Sequence, residues 1–257
     1  PTEKGIGSIM GLIKKNKKKK ALTIRGGAGD EQSPYRPQAV EKFPPCIKHC
    51  PSGNDIRGWL TVIAQREKIG LSVEEACDQA WMLEMETNPM PSVMGRVCPH
   101  PCEGECNRKE KDDPVAINSV ERFFGDHALK RGLKAPTLDE GPYEEKVAVV
   151  GSGPSGLTVA GDLIAKGHSV TVLEAFHKPG GVVVCGIPEF RLPKEIVFAE
   201  VAGLERQGVG IEFNNIVGKT ITIEELFEEG FDAVFVGVGA GLPKFLGIPG
   251  ENLVGIL

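Results

Sequence analysis

The most constraining feature of the sequence is a glycine-rich turn between an apolar run and an amphipathic segment. The stretch VAVVGSGPSGLTVAGDLIAKGHSVTVLEA, residues 147–175, contains the spacing G-x-G-x-x-G. This pattern predicts a strand, a tight turn, a helix and a second parallel strand, which is the arrangement that binds dinucleotides. The predicted phosphate loop comprises Gly151, Ser152, Gly153, Pro154, Ser155 and Gly156.

Each glycine of this loop has its own expected role. Gly151 permits the tight turn, Gly153 lets the backbone approach a pyrophosphate, and Gly156 lets the helix pack close to the strand. The helix amino terminus supplies unpaired N–H donors and a positive dipole for the phosphates. Glu174 ends the second strand, where a carboxylate would accept hydrogen bonds from a ribose diol. The alternative is an ordinary strand-to-helix turn with an incidental acid, and the motif alone does not choose between NAD and FAD.

The predicted alternation of strands and helices continues towards the end of the sequence. Further strands are predicted at Gly210–Phe213 and in DAVFVGVGA, with a helix between them that Thr222 and Glu225 would cap. Alternation of strands and helices predicts a parallel sheet covered by helices. We therefore expect a Rossmann-like domain over residues 146–257.

The half that precedes residue 134 is predicted to be mostly helical. Ile56, Trp59, Leu60 and Ile63 form an apolar stripe at helical spacing. A second helix opens with Ser72 and Glu75 as a capping box, and Asn118 is expected to cap a third. KAPTLDEGPYEE, residues 134–145, is rich in proline, glycine and acid and marks the boundary between the two halves.

Composition limits the class of protein. The chain has 257 residues, a net charge of -5 and 40% hydrophobic residues. This charge argues against nucleic acid as the main partner, because duplex binding usually comes with an excess of basic residues. No run approaches the roughly 18 apolar residues of a membrane helix, and no secretory signal is evident, so we expect a cytoplasmic protein without a membrane span.

Residues 1–42 are predicted to form an extended basic arm. They are rich in Lys, Gly, Gln and Pro and show no sustained periodicity. The run Lys14–Lys20 would suit an acidic partner surface, an anionic lipid face or RNA, and it would equally suit a solvated tail.

Five of the seven cysteines fall into two groups. Cys46 and Cys50 form C-x3-C followed by proline, and Cys98, Cys102 and Cys106 repeat at the same spacing. Two prolines between the first pair of the second group exclude a regular helix there. Such a loop can wrap thiolates around an iron–sulfur cluster, and zinc, a disulfide or simple burial are the other readings. The reducing cytosol places the disulfide last.

Two cysteines stand apart from these groups. Cys77 lies on the apolar side of a predicted helix and is expected to be a small buried hydrophobe. Cys185 has no second cysteine near it, which argues against a disulfide reductase. The five histidines show neither metal-site nor catalytic-triad spacing.

Residues 178–195, KPGGVVVCGIPEFRLPKE, together with DAVFVGVGA, resemble the FAD domain of the glutamate synthase small subunit and of related flavoproteins. That family includes the amino-terminal part of dihydropyrimidine dehydrogenase. The resemblance implies that the dinucleotide is FAD and that Gly180 and Gly181 run beside the flavin or its diphosphate. It also implies that Val217 meets the adenine through its backbone and that Arg191 lies close to the flavin site.

The first half is similar to the helical domain that carries 4Fe-4S clusters in the same family. The residues that carry the similarity are PPCIKHCPSGNDI, GRVCPHPCEGECNR and AINSVERF. The resemblance favours a cluster over zinc and implies a helical 4Fe-4S domain over residues 43–135.

The sequence departs from the family pattern in the number of its cysteines. Family members with two complete clusters carry two further cysteines before the positions of Cys46 and Cys50, and YRPQAVEKFPP has none. One cluster held by Cys50, Cys98, Cys102 and Glu121 is therefore implied, with Glu121 at the position of a glutamine ligand in dihydropyrimidine dehydrogenase. Cys46 and Cys106 would then be half of a second cluster that is absent or completed from elsewhere. Glu121 is equally placed to form a capping pair with Asn118.

Taken with the resemblance, the chain is predicted to be the amino-terminal half of an iron–sulfur flavoprotein oxidoreductase. It would pass electrons between FAD and 4Fe-4S clusters to other subunits of a complex or to an acceptor, and electron transfer itself requires no general acid or base. NAD(P)H is implied only through a further domain or a partner, because the sequence ends before the family's second glycine motif. A relay or assembly subunit without a substrate, and a zinc-stabilised interaction module, are the alternatives.

Overall fold

The computed structural model describes residues 43–137, 141–241, 246–251 and 253. The predicted basic arm, residues 1–42, lies outside them. The leading half is helical, as the sequence predicts, with a 3₁₀ turn at Asn107–Glu110. Its helices are α1 Pro45–Lys48, α2 Ile56–Ala64, α3 Val73–Met85, α4 Pro91–Val97, α5 Pro101–Gly104 and α6 Ile117–Arg131.

The trailing half alternates strands and helices. Its elements are β1 Lys146–Val150, α7 Pro154–Ala165, β2 Ser169–Glu174, α8 Val182–Cys185, α9 Lys194–Gln207, β3 Gly210–Phe213, α10 Ile223–Glu228 and β4 Ala233–Val236. The four strands form one sheet of order β3-β2-β1-β4, and every pairing is parallel. Strand β1 is central, and its residues from Val147 to Val150 are buried, as an apolar strand with covered faces requires. The predicted fold class, a helical domain followed by a Rossmann-like parallel sheet, is confirmed.

Capping side chains set the start of two predicted helices. Ser72 and Glu75 form a reciprocal capping box at α3, and Thr222 and Glu225 form another at α10. The predicted cap of the third helix is wrong, because α6 begins at Ile117 and Asn118 lies inside it. The Asn118 amide instead donates to the Met94 carbonyl at 3.1 Å, which ties α6 to α4. The capping pair considered for Glu121 therefore does not form.

Helix α4 joins the two halves. Met90, just before it, and Val93 within it belong to the same buried cluster as Leu157 of α7 and Leu204 of α9. Helices α4 and α6 approach closely at Gly125, where an added Cβ would lie only 2.7 Å from the Ser92 nitrogen. The sequence patterns do not predict α4, which is short and starts at a proline. Its position nevertheless embeds the segment just before Cys98 in the core of the α/β half.

The remaining core lies in two further clusters. One belongs to the helical half and includes Trp59 and Phe124, whose rings meet edge to face with centroids 5.1 Å apart. The other packs Leu226 of α10 against the sheet. Among the residues that the structure describes, no helix is both long enough and apolar enough to cross a bilayer.

Candidate functional site

The glycine loop has the backbone geometry that its spacing predicts. Gly151 has φ +100°, and a Cβ there would lie 2.6 Å from the Gly237 carbonyl oxygen. A Cβ on Gly156 would lie 1.9 Å from the Gly151 carbonyl oxygen. Both positions therefore require glycine, the first for conformation and packing and the second for packing alone. Helix α7 begins at Pro154, directly after this turn, and Ser155 in its first turn is exposed.

Gly153 differs from its two neighbours. Its φ of -67° is open to any residue, and a Cβ built on it would meet nothing within 4 Å. Neither the backbone nor the packing of the chain thus explains a glycine at this position. The open space lies at the N-cap of α7, where helix N–H groups have no intrahelical partner. The loop therefore fits a dinucleotide whose pyrophosphate approaches the backbone there.

Gly180 and Gly181 lie beside this loop. The Gly180 N–H donates to the Ser152 carbonyl at 3.0 Å and lies 3.1 Å from the Ser152 hydroxyl oxygen. A Cβ on Gly181 would lie 3.0 Å from the Gly153 Cα. Both glycines have positive φ, which gives a second reason for their identity. The structure thus brings together two glycine segments that are at least 24 positions apart in the sequence.

Glu174 is buried behind the glycine loop. Its Oε2 accepts from the Ser152 N–H at 2.8 Å and from the Ser152 hydroxyl, and its Oε1 accepts from the Phe176 N–H at 2.8 Å. The carboxylate therefore braces the loop, which is a role that the sequence pattern does not reveal. A carboxylate has about four acceptor sites, so these bonds leave capacity for a ribose hydroxyl.

The other two residues predicted near the dinucleotide are less closely tied to the loop. The Arg191 side chain is exposed, and its backbone N–H donates to the Pro188 carbonyl at 3.0 Å. Val217 pairs with Ile221 as an isolated bridge and packs against the cluster around Leu226.

Lys194 holds the segment that carries Arg191. Its Nζ donates to the carbonyl oxygens of Val183 at 3.0 Å and Leu192 at 3.1 Å, and to that of Ile187. One ammonium thus closes the loop between α8 and α9 on three carbonyls, using all three of its donors. Sequence reasoning misses this residue, because a lysine after proline has no local signature.

The helical half contains a pocket, which we name the thiol pocket. It has a volume of about 320 Å³, and its lining includes Cys50, Cys98, Cys102 and Glu121. These are the four residues that the family resemblance implies as the ligands of one cluster. The loop between Cys98 and Cys102 is not a regular helix, as predicted, because α4 ends at Val97 and His100 has φ +41°. The His100 N–H donates to the Cys98 sulfur at 3.4 Å.

The side chains around this pocket have perturbed ionisation. Burial, with smaller contributions from Cys98, Glu103 and Cys50, raises the pKa of the Cys102 thiol to about 12. Burial, with the Glu84 carboxyl next to it, raises the pKa of Glu121 to about 9. Burial also raises the pKa of Cys98. Anionic ligands gathered in a poorly solvated pocket repel one another, and a cationic iron centre would stabilise them. The donor set therefore fits a cluster.

Cys46 and Cys106 form a separate pair outside this lining. Burial raises the pKa of Cys46, with a smaller contribution in the same direction from Cys106. Both are half-buried. Three of the five grouped cysteines thus line the pocket and two lie outside its lining, which cuts across the two groups of the sequence and follows the division that the family resemblance implies.

No ready-made site for a single ion is present in the described ranges. Among those residues, no three His, Cys, Asp or Glu side chains converge closely enough to hold one metal ion. Tetrahedral zinc needs sulfurs within about 2.3 Å of the metal, so the thiols would have to move to bind it. Cys77 is buried, as predicted, and Cys185 is exposed on α8.

Sequence reasoning also misses Glu84, a second carboxylate in the pocket lining. It lies on α3 and is only 3% exposed. Its Oε2 is buried and has no hydrogen-bond partner among the described residues. A glutamate inside an amphipathic helix gives no sign of burial, so no pattern in the sequence could identify it.

The two candidate sites share one helix. Thr158, one turn into α7, lines the thiol pocket, and the same helix begins at the glycine loop. Helix α7 therefore contacts the thiol pocket through Thr158 and meets the predicted pyrophosphate position at its amino terminus.

Comparison with known proteins finds a matching domain family in each half of the chain. Residues 41–133 match the family model of dihydropyrimidine dehydrogenase domain II, 4Fe-4S cluster. Residues 149–186 match an NAD(P)-binding Rossmann-like domain. These matches confirm the predicted order of a 4Fe-4S cluster domain followed by a Rossmann-like nucleotide domain.

Similarity to individual proteins extends over most of the chain. The glutamate synthase [NADPH] small chain of Halomonas elongata is 33% identical over 93% of this chain and 51% of its own length. The NADP(+)-dependent formate dehydrogenase subunit beta of Moorella thermoacetica is 32% identical over 81% of this chain and 31% of its own length. The NADPH-Fe(3+) oxidoreductase subunit beta of Geobacter sulfurreducens is 35% identical over 83% of this chain and 31% of its own length. The chain thus spans between about a third and about half of the length of these relatives.

Proposed function

We propose that this chain, which is similar to glutamate synthase small chains and related iron–sulfur oxidoreductase subunits, is an electron-transfer unit of an NAD(P)H-linked oxidoreductase. In this proposal the glycine loop binds FAD and the thiol pocket binds one 4Fe-4S cluster. When bound, FAD supplies two-electron hydride chemistry and one-electron release, and the cluster supplies one-electron transfer.

The observation that carries this proposal is the shared helix α7. Thr158 lines the pocket of Cys50, Cys98 and Cys102, and Gly153 caps the same helix at its amino terminus. A nucleotide on the loop and a cluster in the pocket would therefore be held by one rigid element. Met90 and Val93 support this rigidity, because they anchor the segment before Cys98 in the core around α7.

The residues of the chain have distinct tasks under this proposal. Gly153, Gly180 and Gly181 give a diphosphate access to backbone N–H groups, and Glu174 braces the loop and offers acceptor capacity to a ribose. Arg191 would lie near the flavin and Val217 near the adenine, as the family resemblance implies. In the helical half, Cys50, Cys98, Cys102 and Glu121 would ligate iron, and Cys46 with Cys106 would serve a second centre completed by a partner.

The choice of FAD rests on the resemblance of GIPEFRLPKE to flavoproteins. The matched nucleotide model is described as NAD(P)-binding, which favours a nicotinamide nucleotide on the same loop as the second candidate. The relatives named for NADPH or NADP(+) favour the NADP(+)/NADPH couple as the nicotinamide partner of the complex, reached through a further domain or a partner subunit.

Anaerobic purification followed by analysis of the bound groups tests the proposal. We expect bound FAD, about four irons with as many sulfides per chain, and an optical spectrum of both groups. Photoreduction of the flavin should then be followed by bleaching of the cluster absorbance. Stoichiometric zinc in a colourless protein would refute the cluster, and a released nicotinamide nucleotide instead of FAD would refute the flavin assignment.

A further inference from the structure

A single amide group lies between the two buried carboxylates of the thiol pocket. The Nδ2 of Asn88 donates to Oε1 of Glu121 at 2.9 Å and to Oε1 of Glu84 at 2.8 Å. Asn88 lies between α3 and α4, and Glu121 lies on α6. The two residues are 33 positions apart in sequence, so this contact is purely tertiary.

The orientation of the Asn88 amide is determined by its other end. The Met90 N–H donates to Asn88 Oδ1 at 3.1 Å, so the oxygen faces the start of α4 and the nitrogen faces the carboxylates. A flipped amide would place an N–H group against an N–H group and an oxygen against two carboxylates. The backbone donor thus selects the one orientation in which Asn88 serves Glu121.

The turn that carries Asn88 is itself held in place. The Trp59 indole donates to Asn54 Oδ1 at 2.9 Å, and Asn54 Nδ2 donates to Thr87 Oγ1 at 2.9 Å. The same Nδ2 lies 3.3 Å from the Glu84 carbonyl oxygen. Trp59 also packs edge to face against Phe124, one turn from Glu121 on α6. The donor and the carboxylate that it holds therefore rest on a common buried support.

Electrostatics explains why such a donor is needed. Glu84 and Glu121 are 3% and 9% exposed, and Oε2 of Glu84 has no hydrogen-bond partner among the described residues. Two carboxylates this close repel each other when both are charged, and little water is present to screen them. A shared N–H donor offsets that repulsion and fixes the position of both groups.

We propose that Asn88 is the positioning residue that presents the Glu121 carboxylate to the cluster, with Glu84 as the second carboxylate of the same clamp. The inference rests on the proposed function, because it takes Glu121 to be a ligand. A carboxylate that accepts one hydrogen bond keeps free lone pairs, so Glu121 can hold the Asn88 bond and ligate iron together. Partners that orient ligands in this way typically alter metal affinity 10- to 100-fold when they are removed.

A double-mutant cycle on the full chain tests the proposal. The variants are Asn88→Ala, Glu121→Cys and the pair, each purified anaerobically and examined for the rate of iron loss and the EPR spectrum of the reduced protein. Asn88→Ala alone should release iron about tenfold faster and change the EPR line shape. In the Glu121→Cys background, where a thiolate replaces the carboxylate, adding Asn88→Ala should change the rate by less than about twofold.

Asn215→Ala is the matched control. Its Nδ2 also donates to a glutamate, Glu212 Oε2 at 3.1 Å, but in the α/β half. We expect this variant to retain wild-type iron and EPR properties. FAD content is a second control, since a general loss of fold would lower flavin and iron together, whereas misplacement of Glu121 alters iron alone.

Four outcomes would overturn the inference. Wild-type iron retention and EPR in Asn88→Ala would show that Glu121 needs no such donor. The same tenfold effect of Asn88→Ala in the Glu121→Cys background, or an equal loss of FAD, would show that Asn88 acts on the fold. If Glu121→Ala leaves iron and EPR unchanged, Glu121 is not a ligand, and both the inference and that part of the proposed function fail while the cysteine ligands stand.

Discussion

Oε1 of Glu200 accepts a hydrogen bond from the backbone N–H of Ser92 at 2.8 Å, across 108 positions of sequence. This bond joins α9 of the α/β half to the first turn of α4. Helix α4 thereby receives a cap for an N–H group that its own sequence does not supply, since its N-cap residue is a methionine. The carboxyl is 7% exposed, so the joint between the halves contains a buried acid.

The stability of the protein should depend on pH through Glu200. Burial, with a smaller contribution from Asp126, raises its pKa to about 8, although the N–H of Ser92 and Arg96 act in the other direction. The unfolded chain titrates this acid near 4.5. The neutral form is favoured in the folded state, so stability is full below about pH 4.5 and falls as the pH rises through about 8.

Glu200→Gln should remove that dependence, because the amide stays neutral and can still accept from Ser92. We expect the variant to gain stability relative to wild type as the pH rises, on the order of 4 kcal/mol at the upper end. Urea unfolding at pH 5, 6.5 and 8.5 measures the difference. The control is Glu205→Gln, at an exposed position of the same helix, and its stability should change with pH as that of the wild type does. If the stability of Glu200→Gln changes with pH as that of the wild type does, the Glu200 carboxyl is ionised in the folded protein over the whole pH range measured.

The ion pair between buried Arg96 and half-buried Asp126, beside this joint, should matter for stability. Arg96 is bidentate to Asp126, with nitrogen–oxygen distances of 2.7 and 2.8 Å, and its side chain is only 6% exposed. Asp126→Ala should destabilise the protein by about 3 kcal/mol, because it leaves a buried guanidinium without its partner. The control is Asp112→Ala, which breaks the exposed pair with Arg108 and should cost less than about 1 kcal/mol. Equal midpoints in urea for the two variants would contradict this ranking.

Gly153→Ala separates nucleotide binding from folding. Its φ is ordinary and its Cβ would face open space, so the variant should fold with wild-type stability. The added methyl would stand where the pyrophosphate approaches, and we expect at least about tenfold weaker nucleotide binding, measured by titration of the nucleotide-free protein. Gly203→Ala on α9, where a Cβ would meet only Arg206 at 3.7 Å, should retain binding. Unimpaired binding by Gly153→Ala would place the nucleotide elsewhere.

Cysteine substitutions should distinguish the two thiol groups. Cys98→Ser should remove nearly all bound iron, because Cys98 lies among the residues that line the pocket. Cys106→Ser should leave about four irons per chain if the Cys46 and Cys106 pair holds no complete cluster of its own. Cys77→Ala is the control, because Cys77 is buried but does not line the pocket. Iron and sulfide analysis of each variant measures the effect. If the wild type holds about eight irons and Cys106→Ser holds about four, the chain carries two complete clusters.

Local signals in the sequence determined much of this molecule. Glycine spacing predicted the turn at Gly151 because only glycine adopts that backbone there, and Ser72 with Glu75 predicted the start of α3 because a capping box is complete within four residues. The prolines between Cys98 and Cys102 likewise predicted that this stretch is not a regular helix. Each of these features depends on neighbours in the chain, so each is readable without a fold.

Tertiary structure decided the rest. Glu84, Asn88 and Glu200 look like ordinary surface residues in the sequence, and their burial depends on segments that meet from far apart in the chain. Asn118 was expected to cap a helix, but a contact with Met94 holds it inside α6 instead. The cost of burying a polar group is settled only by the partners that folding brings to it, and for Asn118, Asn88 and Glu200 such a partner lies 24, 33 and 108 positions away.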